Sequence, residues 1–172
     1  MRMLIMWLMI LLPGWAMAQA PASRAVEEGK RLEFLTGEWK GEGWMEFGPG
    51  DRKTFRQTET VRRRLGGAVL EIEGIGKAGE TVVHHALALI SHDAKGGGFA
   101  MRAWRADGNW IDPQITVGDR SLVWGFKDPR FGVDIRYSIQ LTPAGDWSEI
   151  GEMSRDGKTW RQFFEMKLQR VK

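Results

Sequence analysis

The chain of 172 residues contains no cysteine. That excludes disulfides, thiolate metal sites and a lipidated cysteine, and leaves packing alone to hold the fold. Histidine is scarce, with three in all and none after His92. His84 and His85 are neighbours, and neighbouring side chains on a strand point to opposite faces, so they make no metal pair. Ser91, His92 and Asp93 fail as a triad for the same reason, and nothing resembles a nucleophile elbow. Charge of one sign is also lacking, since the formal net charge is only +3. The run Arg62-Arg63-Arg64 has Glu59, Glu71 and Glu73 close by, which reads as a solvated rim and not as a nucleic-acid contact.

Long apolar runs are absent except at the start. Arg2 precedes a wholly apolar stretch over 3–12, broken by Pro13-Gly14, and Ala16-Met17-Ala18 follows as a small-x-small cleavage pattern. The stretch is about half of the ~20 residues a membrane-spanning helix needs. It therefore reads as a signal peptide over 1–18, cut before Gln19, with no membrane association after cleavage. Arg2 stands alone, which argues against twin-arginine export. Residues 19–25 read as a disordered leader and 26–172 as one domain, placed in the periplasm or secreted. About 150 residues can bury an adequate core without disulfides.

What is present is alternation. After one short amphipathic helix carried by Val26, Leu32 and Leu35, no segment sustains a helical period. Ten runs, 37–47, 52–65, 68–76, 80–92, 97–106, 110–117, 121–127, 131–141, 147–154 and 159–171, alternate in polarity between glycine-, proline- or Asp-Gly-bearing turns. None is followed by a crossover helix, so the expected class is all-β and antiparallel. An open sheet of ten strands leaves two exposed edges that closure would remove. The expected architecture is thus a ten-stranded up-and-down barrel, with the short helix plugging one mouth.

Splitting each strand into two faces yields apolar inner sets such as Leu122, Trp124 and Phe126, or Phe131, Val133, Ile135, Tyr137 and Ile139. Trp160, Phe164, Met166 and Leu168 form another. Five polar groups fall on such faces: Gln57, Glu59, His85, Tyr137 and Gln162. Buried polar groups need partners, so these either bond one another or line a cavity that orients a mostly apolar guest. With Trp124 they are the candidate ligand-binding residues. Nine tryptophans, of which only Trp7 and Trp15 precede the cut, suit an aromatic core or aromatic cavity walls.

The segment Leu35-Thr36-Gly37-Glu38-Trp39-Lys40-Gly41-Glu42-Gly43, a helix running into Gly-x-Trp-x-Gly-x-Gly, resembles the opening of nitrobindin-like and other lipocalin-like barrels. It is also similar to an uncharacterised family of exported bacterial proteins. That likeness extends through Leu65-Gly66-Gly67, His84, Val123-Trp124-Gly125-Phe126 and the stretches Ser154-Arg155-Asp156-Gly157 and Phe163-Phe164-Glu165-Met166. The resemblance implies a lipocalin- or fatty-acid-binding-protein-like barrel in which Gly37, Trp39, Gly41 and Gly43 are structural, Trp39 packing under the base. Nitrobindin-like proteins bind haem through a histidine near the C-terminal strand, which this chain lacks; Tyr137, His84 or His85 would have to replace it.

The expected function is non-catalytic binding of a small hydrophobic or amphipathic molecule in an internal pocket, with no cofactor. The alternatives are a haem- or gas-binding barrel, a pocket enzyme using Glu59 and His85 as an acid–base pair, and a filled-core interaction module. Expression in a bacterium with intact export should yield a chain beginning at Gln19 by intact mass; an uncut chain would overturn the signal-peptide reading.

Overall fold

The computed structural model describes residues 23–171. The expected signal peptide and most of the expected leader lie outside the described residues. The helix begins two residues before its expected start, as α1 over Arg24–Gly29, and tightens into a 3-10 segment over Lys30–Leu35. No helix among the described residues is long and apolar enough to cross a membrane.

Apart from a 3-10 turn over Leu65–Gly67, the remaining regular structure of the described residues is one antiparallel sheet of eleven strands. They are β1 (Gly37–Met45), β2 (Lys53–Arg64), β3 (Val69–Ala78), β4 (Thr81–His92), β5 (Phe99–Arg105), β6 (Trp110–Ile111), β7 (Gln114–Val117), β8 (Ser121–Asp128), β9 (Val133–Leu141), β10 (Trp147–Ser154) and β11 (Arg161–Arg170). Their spatial order, β6-β5-β4-β3-β2-β1-β11-β10-β9-β8-β7, is an up-and-down meander in which the first and last strands pair. The sheet curls into a half-barrel, and its edges are β6 and β7. The eleventh strand arises because the expected strand over 110–117 is split at Asp112-Pro113. Proline has no N–H to give a ladder and restricts the residue before it. β5 lies alongside β7 there without pairing.

The helix closes one end of the curl. Leu32 and Leu35 are 1% and 0% exposed and pack with Trp39, Val61, Ile90, Leu122, Trp147 and Leu168 in the core. Arginines from the walls fasten it: Arg63 donates to the Val26 and Gly67 carbonyls and pairs with Glu33, while Arg170 donates to the Phe34 and Thr36 carbonyls. Arg31 reaches the other way, to the Val117 carbonyl on β7 at 2.7 Å. Arg62 and Arg64 both reach Glu71, so every member of the arginine run has an acidic partner.

The Gly-x-Trp-x-Gly-x-Gly segment is β1 itself. Gly37 adopts φ +133°, which favours glycine. Trp39 is 0% exposed, donates its Nε1–H to the Leu35 carbonyl at 2.8 Å, and meets Trp147 edge-on at 5.5 Å. A Cβ on Gly41 would overlap the Lys167 carbonyl oxygen, and one on Gly43 would stand 2.5 Å from the Phe55 ring. The glycines therefore let β11 and the Phe55 ring press against β1.

Several expected faces are corrected. Trp160 lies outside, beneath the Arg136 guanidinium at 4.1 Å, as Trp44 and Trp110 lie beneath Arg52 and Arg102. Phe131 is 69% exposed in the turn before β9. Gln162 is exposed because the β10–β11 register shifts between Gly151 and Glu152. Gly151 faces Phe164 and Glu152 faces Gln162, so Phe163 is the extra residue of a bulge. Phe163 turns inward at 2% exposure and Gln162 is carried out.

Gly41→Ala should destabilise the fold by about 1–3 kcal/mol in urea denaturation, because the clash is with backbone. Gly48→Ala, with open space around it, should stay within ~0.5 kcal/mol of the parent. Equal effects at the two positions would refute the close-approach argument.

Candidate functional site

The interior polar groups come from four strands. Gln57 and Glu59 alternate with Phe55 and Val61 along β2, at 3% and 8% exposure. Their side chains lie across β3, where the residues opposite are Gly76 and Gly74. A Cβ at Gly74 would stand 2.5 Å from Glu59 Oε1, and one at Gly76 would stand 2.7 Å from Gln57 Oε1. The next residues outward on β4 are Ala86 and His84. Gly74, Gly76 and Ala86 thus leave room for the long side chains of β2.

That arrangement corrects the reading of His85. It pairs with Ile75 on the outer face, where its Nε2 lies 3.0 Å from Glu73 Oε1. His84 faces inward instead. Both faces of this strand carry apolar residues, so polarity does not choose between them; the inner face takes the alanines, and Leu87 remains exposed at 36%. Glu59 and His85 stand on opposite sides of the sheet, so the acid–base pair of the alternative enzyme reading does not form.

Tyr137 and Trp124 are directly paired across β8 and β9, with rings stacked at 4.3 Å and 13°. Phe164 and Phe163 meet Tyr137 edge-on at 5.5 and 5.7 Å. Gly151 makes space for the phenol, since a Cβ there would stand 2.8 Å from Tyr137 Cε1.

A second buried acid, Glu149 on β10, was not singled out from sequence and is 6% exposed. Its strand carries an acid on each face, Glu149 and Glu152, and only the face shared with Trp147 marks the inner one. Trp147 Nε1–H donates to Glu149 Oε2 at 3.2 Å. Gln57 Nε2–H donates to Glu59 Oε1 at 2.6 Å, while Gln57 Oε1 is buried without a partner.

Burial pushes Glu59 up to about 8; the Gln57 hydrogen bond opposes this and the Glu149 charge adds to it. Burial likewise lifts Glu149 to about 7, against hydrogen bonds from the Trp147 and Trp124 indoles. Tyr137 is raised by burial and by Glu149. His84 keeps solvent contact at the rim, yet the surrounding walls lower its pKa, first through lost hydration and then through the charges of His85 and Arg105.

Of the expected site residues, the structure brings Gln57, Glu59, Trp124 and Tyr137 to one interior, adds Glu149 and His84, and removes His85 and Gln162. Among the described residues no three metal-ligating side chains converge. Two open depressions lie on the outer face. One runs over β1 and β11 past Lys40, Glu42, Trp44, Glu165 and Lys167, the other over β8 and β9 past Val123, Lys127, Asp134 and Arg136. Neither is lined by Gln57, Glu59 or Glu149.

The raised carboxyls set a pH dependence. Below their ordinary value of 4.5 both folded and unfolded chains hold the protons, so burial carries no ionisation penalty. Above it the unfolded chain ionises first, and stability falls as pH rises until the folded groups ionise near 7 and 8. For Glu149 the loss is on the order of 3 kcal/mol, and for Glu59 somewhat more. Glu59→Gln should therefore raise the melting temperature by roughly 5–10 °C at mildly alkaline pH and change it little near pH 5. Melting curves of parent and variant that stay parallel across that range would show that Glu59 is not held protonated.

No family model matches the chain, and no curated protein matches it. Among solved structures it is similar to the crystal structure of Rv2717c from M. tuberculosis, at 14% identity and a TM-score of 0.59, covering 87% of this chain and 99% of that one. At that identity the likeness shows the fold: an antiparallel sheet curled as a half-barrel behind one short helix.

Proposed function

We propose that this chain is an exported, lipocalin-like barrel that holds a small, mostly apolar molecule in the open half of its curled sheet. The observation that carries this reading is the asymmetry of the interior. Leu32, Leu35, Trp39, Ile90, Leu122, Trp147 and Leu168, near the helix, are 2% exposed or less. Toward the opposite end Trp124, Phe126, Tyr137 and Phe164 keep solvent contact although they face inward. Water-accessible aromatic walls with a few polar groups at their floor are the usual makeup of a small-molecule site. The signal-peptide pattern over 1–18 supports a periplasmic or secreted location.

A haem-binding reading finds uneven support. Tyr137 does not fit an axial role, since burial and the Glu149 charge both oppose its ionisation. His84 fits better, because it faces the open half and its neutral form is favoured. The two buried carboxyls beneath it suit a guest with polar hydrogens more than a porphyrin face.

Native mass spectrometry of the protein from its own compartment, and titration with the fluorescent apolar probe N-phenyl-1-naphthylamine, test the binding reading. Trp124→Ala should weaken binding about tenfold, a loss of ~1.4 kcal/mol, whereas His85→Ala should leave it unchanged. The reading fails if no molecule is retained and no probe binds, or if the two variants behave alike.

A further inference from the structure

The acids inside the sheet are unusual in having no cation. Glu59 on β2 and Glu149 on β10 project into the same interior from walls separated by β1 and β11. Each is less than a tenth exposed, and the Glu149 charge bears on Glu59. The ion pairs of the described residues, from Lys30–Glu27 to Lys167–Glu165, include neither of them. A buried carboxyl with no opposite charge is costly, and a fold normally pairs it or replaces it.

Their neighbours supply few donors. Gln57 spends an N–H on Glu59, and the Trp147 and Trp124 indoles serve Glu149. Gln57 Oε1, on a side chain 97% buried, has no donor at all. Turning the amide over would only pass the deficit to Nε2, so the site lacks a partner in either orientation. Once the two carboxyls ionise, they and the amide oxygen leave acceptors in excess of donors. The other titratable or charged groups at inward-facing positions are His84 on β4, Arg105 on β5 and Asp128 on β8; Arg105 is engaged by Asp107 and Asp128 by Arg130.

The wall beside the acids is the stacked pair Trp124 and Tyr137. Aromatic faces attract cations as well as flat apolar groups. An anionic guest would meet the acids' repulsion, and a purely apolar one would leave Gln57 Oε1 bare.

The geometry points to a protonated primary or secondary amine on a flat apolar body as the ligand class of this interior, its N–H groups answering Glu59, Glu149 and Gln57 Oε1 and its body lying on Trp124 and Tyr137. This rests on the binding reading above and specifies it. Binding near neutral pH displaces a proton from a carboxyl oxygen to solvent, and no covalent bond to the ligand forms.

Isothermal titration of the protein with 2-naphthylmethylamine, 2-naphthylmethanol and 2-naphthoate compares one body with three headgroups. The amine should bind at least ~tenfold more tightly than the alcohol. Its heat should change between phosphate and Tris buffers in the sense of proton release. Glu59→Gln, which keeps the side chain's shape, should erase the preference for the amine. An alcohol or carboxylate that binds as tightly as the amine would overturn the ligand class while leaving interior binding intact. So would a preference that survives Glu59→Gln. If none of the three binds, both the ligand class and the interior-binding reading fall.

Discussion

Trp39 ties together parts of the chain that are far apart in sequence. Its indole N–H takes up the carbonyl of Leu35, one of the groups that the end of a helical segment leaves unbonded. Its ring meets Trp147 from β10 and lies under the Arg170 guanidinium from β11 at 4.0 Å. Its backbone sits on the strand that pairs with both β2 and β11. One fully buried residue therefore sets the helix against the sheet and seats the two ends of the meander together. The flanking glycines matter for the same reason: β11 can approach β1 that closely only where there is no Cβ to meet the Lys167 carbonyl.

With that end sealed, the opposite half of the curl is free to carry polar groups that a filled core would exclude. Glu59, Glu149 and Gln57 are tolerated because Gly74, Gly76 and Gly151 clear space for long side chains and for the Tyr137 ring. The cost of burying carboxyls appears as raised pKa values, and it is offset by the tightly packed helix end. Features that weaken a fold locally and are kept by their surroundings tend to belong to functional sites. Here they coincide with the aromatic wall that retains contact with water.

The outer surface follows different chemistry. Trp44, Trp110 and Trp160 lie on the outside, each covered by an arginine stacked on its ring. Tryptophan content therefore overstates the aromatic interior, since a flat ring under a guanidinium is well accommodated at a wet surface. Trp39 could be placed from its strand's alternation, because its neighbours Glu38 and Lys40 are polar and point the other way, and Trp124 because it shares its face with Leu122 and Phe126. Trp160 could not, because it lies beyond the bulge at Phe163 that reverses the alternation on β11.

The sequence by itself determined the class of fold, nearly every strand, and the inward position of Gln57, Glu59, Trp124 and Tyr137. Those depend on period-two alternation and on turn residues, which act over a few neighbouring positions. Tertiary structure alone decided that His84 and not His85 faces inward, that Gln162 leaves the interior, and that Glu149 joins Glu59 there. Each of these is a question of register or of which face is covered. On β4 and β10 the two faces are too alike in polarity for the local pattern to choose, and on β11 a single extra residue exchanges them. The choice is made by what lies opposite: small residues where β2 needs room, and a tryptophan where the helix end needs filling.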